Sequence, residues 1–159
     1  LGACSAAWTT RSNSANVPLG AVCGATPNGR KAFTPIAEAC SPCHGSEQYG
    51  PTQAALSVAS LDHLLMTNGS QYNQKYHPSA LAGESGLNAL ADLILTYFEA
   101  GGYHIQVNVV SADVLRRAQA HPEKYRDLVV RVAGYTAFFI DLNRAIQEDI
   151  IDRTELSFG

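Results

Sequence analysis

A chain of 159 residues, 46% apolar and 16% charged with a net charge of −3, is long enough for one domain with a sizeable core and short for two. The charge balance argues against nucleic-acid and acidic-membrane partners, which select clustered Lys and Arg, and no apolar run reaches the roughly 18–20 residues of a membrane span. The sequence starts at Leu1-Gly2-Ala3-Cys4-Ser5 without an initiator Met or a charged-then-apolar leader, which reads as a piece of something longer.

Residues 1–31 are rich in Ser, Thr, Asn, Gly and Ala and read as loop with short extended pieces; Thr26-Pro27-Asn28-Gly29 within them has the chemistry of a type I or II turn. A helix is predicted over 51–65, with Ala55, Leu56, Val58, Ala59, Leu64 and Leu65 near helical spacing, before Asn68-Gly69 turns the chain. In 70–76, Tyr72 and Tyr76 alternate with Asn73 and Lys75, which suggests a short strand with one polar face. Ser85 is placed to cap a helix over 86–100, whose Leu87, Leu90, Ala91, Ile94, Leu95 and Phe98 form a core-facing stripe, and Gly101-Gly102 ends it.

A β-branched strand over 104–110 follows, with Ile105, Val107 and Val109 on one face and Gln106 and Asn108 on the other. Ser111 then caps a second helix, with Asp113 in its first turn, and His121-Pro122 ends it. The nearly continuous apolar run 128–132 predicts a strand buried on both faces, with Gly134 at the tip of the turn after it. Strand, helix, strand in this order points to an α/β fold, a βαβ-like or barrel-edge unit. A last helix over 142–154 is expected to bury Ile146, Ile150 and Ile151 and to leave Arg144, Glu148, Asp149, Asp152 and Arg153 outside.

Cys4, Cys23, Cys40 and Cys43 could pair in a secreted chain; without an export signal they read as free thiols. Cys40-Ser41-Pro42-Cys43-His44 has the C-x-x-C-H spacing of c-type haem attachment, but haem needs export and an axial partner, and Met66 is the one methionine. A closed zinc site would need a second ligand pair. No metal and no bound cofactor is assigned. His63, His77, His104 and His121 form no spaced ligand set, while Cys43, His44 and His104 are candidates to line a pocket. Arg131, in an otherwise apolar strand, must meet a carboxylate or a set of carbonyls, because an unpaired buried guanidinium is costly.

Arg131-Val132-Ala133-Gly134-Tyr135 resembles the R-V-x-G-[YFW] signature of the glycyl radical enzymes. Further blocks are similar to that family and stand in its order: 24–31 (G-A-T-P-N-G-R-K), Ser41-Pro42, Gly50-Pro51-Thr52, Asn73-Gln74-Lys75, His77-Pro78, 101–108 and 121–128. The resemblance implies the C-terminal portion of a glycyl radical enzyme α/β barrel, with the radical loop following a buried strand. It divides the chain into an unassigned 1–23, a barrel part 24–110 and a glycyl radical domain 111–159.

What the resemblance implies for the site follows from the chemistry of glycine, whose Cα carries two hydrogens; losing one leaves a radical delocalised between amide nitrogen and carbonyl. Gly134 is the implied radical site, with Arg131, Val132 and Tyr135 serving recognition by an activating enzyme or support of the loop. Tyr135, Phe138 and Phe139 are expected to bury the loop against dioxygen and water. The implied partners are a radical S-adenosylmethionine activating enzyme with an iron–sulfur cluster, the rest of the enzyme with its thiyl cysteine, and further copies of the full enzyme. None of the four cysteines matches that thiol's motif. The sequence after Gly134 is more similar to the dehydratase, lyase and decarboxylase branch than to pyruvate formate-lyase, and the implied location is the cytoplasm or a bacterial microcompartment. The alternative from a different class is a stand-alone spare part that restores the radical of an oxygen-damaged enzyme.

Overall fold

The computed structural model describes residues 15–66 and 69–158; Cys4, Asn68 and the first part of the loop-rich N-terminal segment lie outside the described residues. The described chain opens with helix α1 (Asn16–Ala21), where loop is expected. Tertiary contacts override the composition here: Asn16 Nδ2 donates to Asp149 Oδ1 at 3.0 Å, and Gly20 rests on the backbone of Thr34 to Ile36, where any β-carbon would collide. The loop that follows is organised by Arg30, whose guanidinium donates to the carbonyls of Gly24, Lys31 and Thr34. Its turn closes as predicted, Gly29 N–H donating to Thr26 O at 3.1 Å.

Helix α2 (Gly50–Ala59) stops well short of residue 65, because Asp62 accepts from the Leu64 N–H and starts a separate 3₁₀ turn at His63–Leu65. Strand β1 (Tyr72–Tyr76) leads to helix α3 (Gly83–Glu99), in which Ser85 is an interior residue and not the cap. Gly101, at φ +99°, supplies the left-handed stop. The expected stripe of α3 is rotated: Leu93 and Tyr97 are the buried residues, and Leu87, Leu95 and Phe98 are exposed. Tyr97 sets that rotation, packing on Tyr72 with ring centroids 5.6 Å apart and against Gly102, where a β-carbon would strike its ring.

Strand β2 (Ile105–Val109) completes a βαβ unit with β1 and α3, one unit earlier than the sequence order suggests. Helix α4 (Ala112–Ala120) is capped by Ser111, which accepts from the Val114 N–H, and carries Asp113 in its first turn. Strands β3 (Val129–Arg131) and β4 (Thr136–Phe138) pair antiparallel as a hairpin of their own. Helix α5 (Arg144–Asp152), capped by Asn143, is followed by the short strand β5 (Glu155–Leu156). The parallel sheet has the order β2-β1-β5, so the fold is α/β as expected, with the hairpin set beside the sheet.

Two apolar cores flank this sheet. One joins α2, α3 and Tyr72; the other joins α4, the hairpin and α5 through Val110, Leu115, Val130, Val132, Phe139, Ile150 and Ile151. Each such side chain contributes about 1.5–3 kcal/mol on leaving water. Strand 128–132 was expected to be buried on both faces and is not: Val130 is buried, while Val129 pairs with Phe138 on the outer face, where both are about half exposed. A two-stranded hairpin covered on one side gives alternation, the pattern of a half-buried strand. Among the described residues no helix is long and apolar enough to cross a membrane.

Candidate functional site

Arg131 ends β3, and Val132, Gly134 and Tyr135 lie on the β3–β4 connection. Arg131 and Thr136 are the last register pair, and Val132 N–H donates to Tyr135 O at 2.9 Å, which leaves Ala133 and Gly134 at the tip. Gly134 has φ +77°, the value a type II turn requires at its third residue and one that a residue with a β-carbon adopts only with strain. Val132 and Ala133 are buried, whereas Gly134 and Tyr135 stand at the surface of the chain. The expectation that three aromatic rings bury the loop fails for two of them: Phe139 is fully buried, but Tyr135 and Phe138 are 37% and 47% exposed. Period-two alternation in β4 turns Phe138 outward.

The turn is held from below by the polar face of β2. Gln106 and Asn108, 7% and 8% exposed, are buried, while Ile105, Val107 and Val109 on the other face are less so. Asn108 brackets the Arg131 backbone, its Nδ2 donating to Arg131 O at 2.7 Å and its Oδ1 accepting from Arg131 N–H at 3.0 Å. Gln106 Oε1 accepts from Arg131 Nε at 2.6 Å and from the Gly134 N–H at 3.3 Å. Arg131 also donates to Thr136 Oγ1 at 3.0 Å. Its guanidinium is thus satisfied by one carbonyl oxygen, that of the Gln106 side-chain amide, and a hydroxyl; the described side-chain partners include neither a carboxylate nor the expected set of carbonyls.

A second set of residues grips the turn from α5. Asp149 and Arg153, expected outside, are buried. Arg153 Nη1 donates to Val132 O at 2.6 Å, and its Nη2 meets both Glu38 and Asp149. Counting from Ile146, positions i+3, i+4 and i+7 are Asp149, Ile150 and Arg153, so the helical period places the pair on the buried stripe. Their charge alone suggested the outside. Burial pushes the Glu38 carboxyl up to about 8, Asp149 and Glu47 acting the same way and Arg153 the opposite. The direction holds although Arg153 touches Glu38, because that guanidinium is shared with Asp149.

Between these groups and β1 lies a narrow polar cavity of about 20 Å³, room for a water molecule, lined in part by Glu38, His44, Asn73, Gln106, Arg131 and Arg153. Both polar atoms of the Asn73 side chain and Nε2 of His44 are buried there without a hydrogen-bond partner among the described residues. Lys75 donates to Ile151 O at 2.7 Å, a cation at the C-terminus of α5, and burial lowers its pKa, with Glu155 at 3.8 Å acting against that.

Of the other sequence candidates, His44 lines the cavity with Nε2 3.8 Å from Asp149 Oδ1, and burial keeps its pKa low. His104 adjoins the site through Gln106, and burial together with Arg131 lowers its pKa. Cys43 stands aside, its Sγ accepting from Asn28 Nδ2 at 3.3 Å. Cys23, Cys40 and Cys43 are free thiols; burial raises the pKa of Cys40, which lies against Met66 Sδ at 3.7 Å. No group of three or more His, Cys, Asp or Glu suited to a metal ion occurs among the described residues.

Residues 36–140 match the Glycine radical family. The chain belongs to that family. It is 44% identical over 143 residues to trans-4-hydroxy-L-proline dehydratase of Clostridioides difficile, an alignment that covers 90% of this chain and 18% of the relative. The solved B12-independent glycerol dehydratase of Clostridium butyricum superposes with a TM-score of 0.87 at 52% identity, over 90% of this chain and 18% of that one. A Roseburia inulinivorans structure of 1,2-propanediol dehydration gives 0.86 at 54% identity, over 89% and 18%. The relatives are dehydratases, sulfite-lyases and a decarboxylase, and the structural relatives are glycyl radical enzymes with an α/β barrel fold. This chain spans about 18% of the length of the glycyl radical proteins it matches.

Proposed function

We propose that the chain is the radical-bearing part of a glycyl radical enzyme of the dehydratase and lyase type, and that Gly134 stores the radical. The observation that carries this reading is the family match through residue 140 together with a tight turn whose third residue is a glycine at φ +77°. An activating enzyme with an iron–sulfur cluster and S-adenosylmethionine removes one hydrogen atom from the Gly134 Cα. A cysteine thiol on the remaining polypeptide then returns a hydrogen atom to that carbon: its S–H bond breaks, the Cα–H bond re-forms, and the sulfur carries the unpaired electron to the substrate.

What this chain supplies is position. Arg131, Val132 and Tyr135 support the turn or meet the activating enzyme, and the exposed Tyr135 next to Gly134, with the exposed Val129 and Phe138 at the far end of the same hairpin, offers apolar surface for the remaining polypeptide to cover. The two core clusters, one of α2, α3 and Tyr72 and one of α4, the hairpin and α5, support a barrel part over 24–110 and a radical-bearing unit over 111–159, with Val110 and Phe158 each packing across that boundary. Bond cleavage at C–O, C–N, C–S or C–C, or addition to fumarate, is the reaction class, in an oligomer of the full enzyme located in the cytoplasm or a bacterial microcompartment.

Turnover tests the division of labour. After anaerobic activation, this chain alone is expected to turn over none of glycerol, 1,2-propanediol or trans-4-hydroxy-L-proline. The full-length enzyme is expected to turn over a substrate of this class, and to lose that activity in Gly134→Ala. Turnover by the chain alone contradicts the proposal.

A further inference from the structure

We infer that Gln106 is a positioning residue that sets the electronic environment of the Gly134 radical by holding its amide N–H; this rests on Gly134 being the radical site. Gln106 sits on the buried face of β2, 28 residues before the glycine, and its side-chain oxygen reaches the Gly134 N–H at 3.3 Å. The orientation of the Gln106 amide is unambiguous. Arg131 Nε and the Gly134 N–H are both donors only, so the group facing them must be the oxygen. On its other side, Nε2 of Gln106 lies 3.3 Å from His104 Nε2, which accepts when the neutral imidazole carries its proton on Nδ1. A relay therefore runs from His104 through Gln106 to the glycine amide.

The consequence concerns where the unpaired electron sits. The radical is shared between Cα, the amide nitrogen and the carbonyl, and an acceptor on the N–H raises the electron density that nitrogen donates to Cα. Gln106 favours that form, and Arg131 Nε, on the same oxygen, fixes the acceptor in place through a charge-assisted bond. Asn108, the neighbour on the same face, touches Arg131 but makes no described bond to Gly134, which makes it the structural control.

The experiment is electron–nuclear double resonance of the activated full-length protein grown on glycine labelled with nitrogen-15, which reads the hyperfine coupling of the Gly134 amide nitrogen without relying on solvent exchange. Gln106→Leu is expected to change that coupling and to lower radical yield per chain by up to roughly tenfold, the upper size of one neutral hydrogen bond. Gln106→Glu keeps the volume and an acceptor oxygen and is expected to restore the yield while shifting the coupling. Asn108→Ala, which loosens Arg131 but keeps the Gln106 oxygen, is expected to change the coupling less than Gln106→Leu does. A wild-type radical whose amide coupling is unchanged in both Gln106 variants overturns the inference alone. A wild-type protein with no glycine-centred radical overturns it together with the reading it rests on.

Discussion

Arg153, at the C-terminal end of α5, donates to the carbonyl of Val132 at 2.6 Å, two residues before Gly134. The same guanidinium meets Glu38 and Asp149, and all three side chains are buried. Replacing Arg153 with Met leaves Asp149 without its cation and Glu38 without its partner, and is expected to cost roughly 3–5 kcal/mol. Arg116→Met, which removes an exposed partner 3.7 Å from Asp152, is expected to cost at most about 1 kcal/mol. Urea unfolding of the two variants side by side checks this. Equal midpoints would mean that the buried network does not support the turn.

The same network gives stability a pH dependence. An acid whose pKa is higher in the folded than in the unfolded state contributes fully below the unfolded value, and that contribution fades as pH rises through the folded one. For Glu38 the window runs from 4.5 to about 8, so the protein loses stability as pH rises across it. Glu38→Gln is expected to flatten the slope. Denaturant midpoints measured across the window in both proteins read the difference, and parallel slopes would exclude Glu38 as the source.

Gly102 closes the βαβ unit by letting the ring of Tyr97 lie where a β-carbon would stand. Tyr97 and Tyr72 are both fully buried, so neither ring can withdraw cheaply. Gly102→Ala is expected to destabilise the protein by about 1–3 kcal/mol, the usual penalty of overpacking. Gly24→Ala, at a position with nothing within 4 Å of the new carbon, serves as the comparison. Thermal unfolding separates them, and an unchanged midpoint for Gly102→Ala would show that the rings accommodate a methyl group.

Sequence periodicity found what local physics decides. Ser111 caps its helix, Gly101 stops α3, the turn at 26–29 closes, and the glycine follows a strand at a turn tip. It misjudged what distant partners decide: α1 forms through Asn16 and Asp149, 133 residues apart, and the α3 stripe rotates toward Tyr72. At the site, Arg131, Val132, Gly134 and Tyr135 were legible as a motif with a role; Gln106 and Asn108 stood in the family-like block 101–108 without one, and Arg153 was expected outside. Polar residues on the buried face of a strand or the buried stripe of a helix look like solvent-facing residues until the third dimension brings a backbone to satisfy. The i+3 and i+7 positions of Asp149 and Arg153 from Ile146 were the one signal available.

The central claim is that the Cα of Gly134 holds an unpaired electron, and isotope-resolved electron paramagnetic resonance tests it most directly. After anaerobic incubation of the full-length protein with its activating enzyme and S-adenosylmethionine, the remaining Cα hydrogen should split the signal into a doublet. That doublet should collapse to a single line in protein grown on glycine deuterated at Cα, and it should be missing in Gly134→Ala. A doublet that survives Gly134→Ala, or an activated wild-type protein with no doublet at all, would contradict the account.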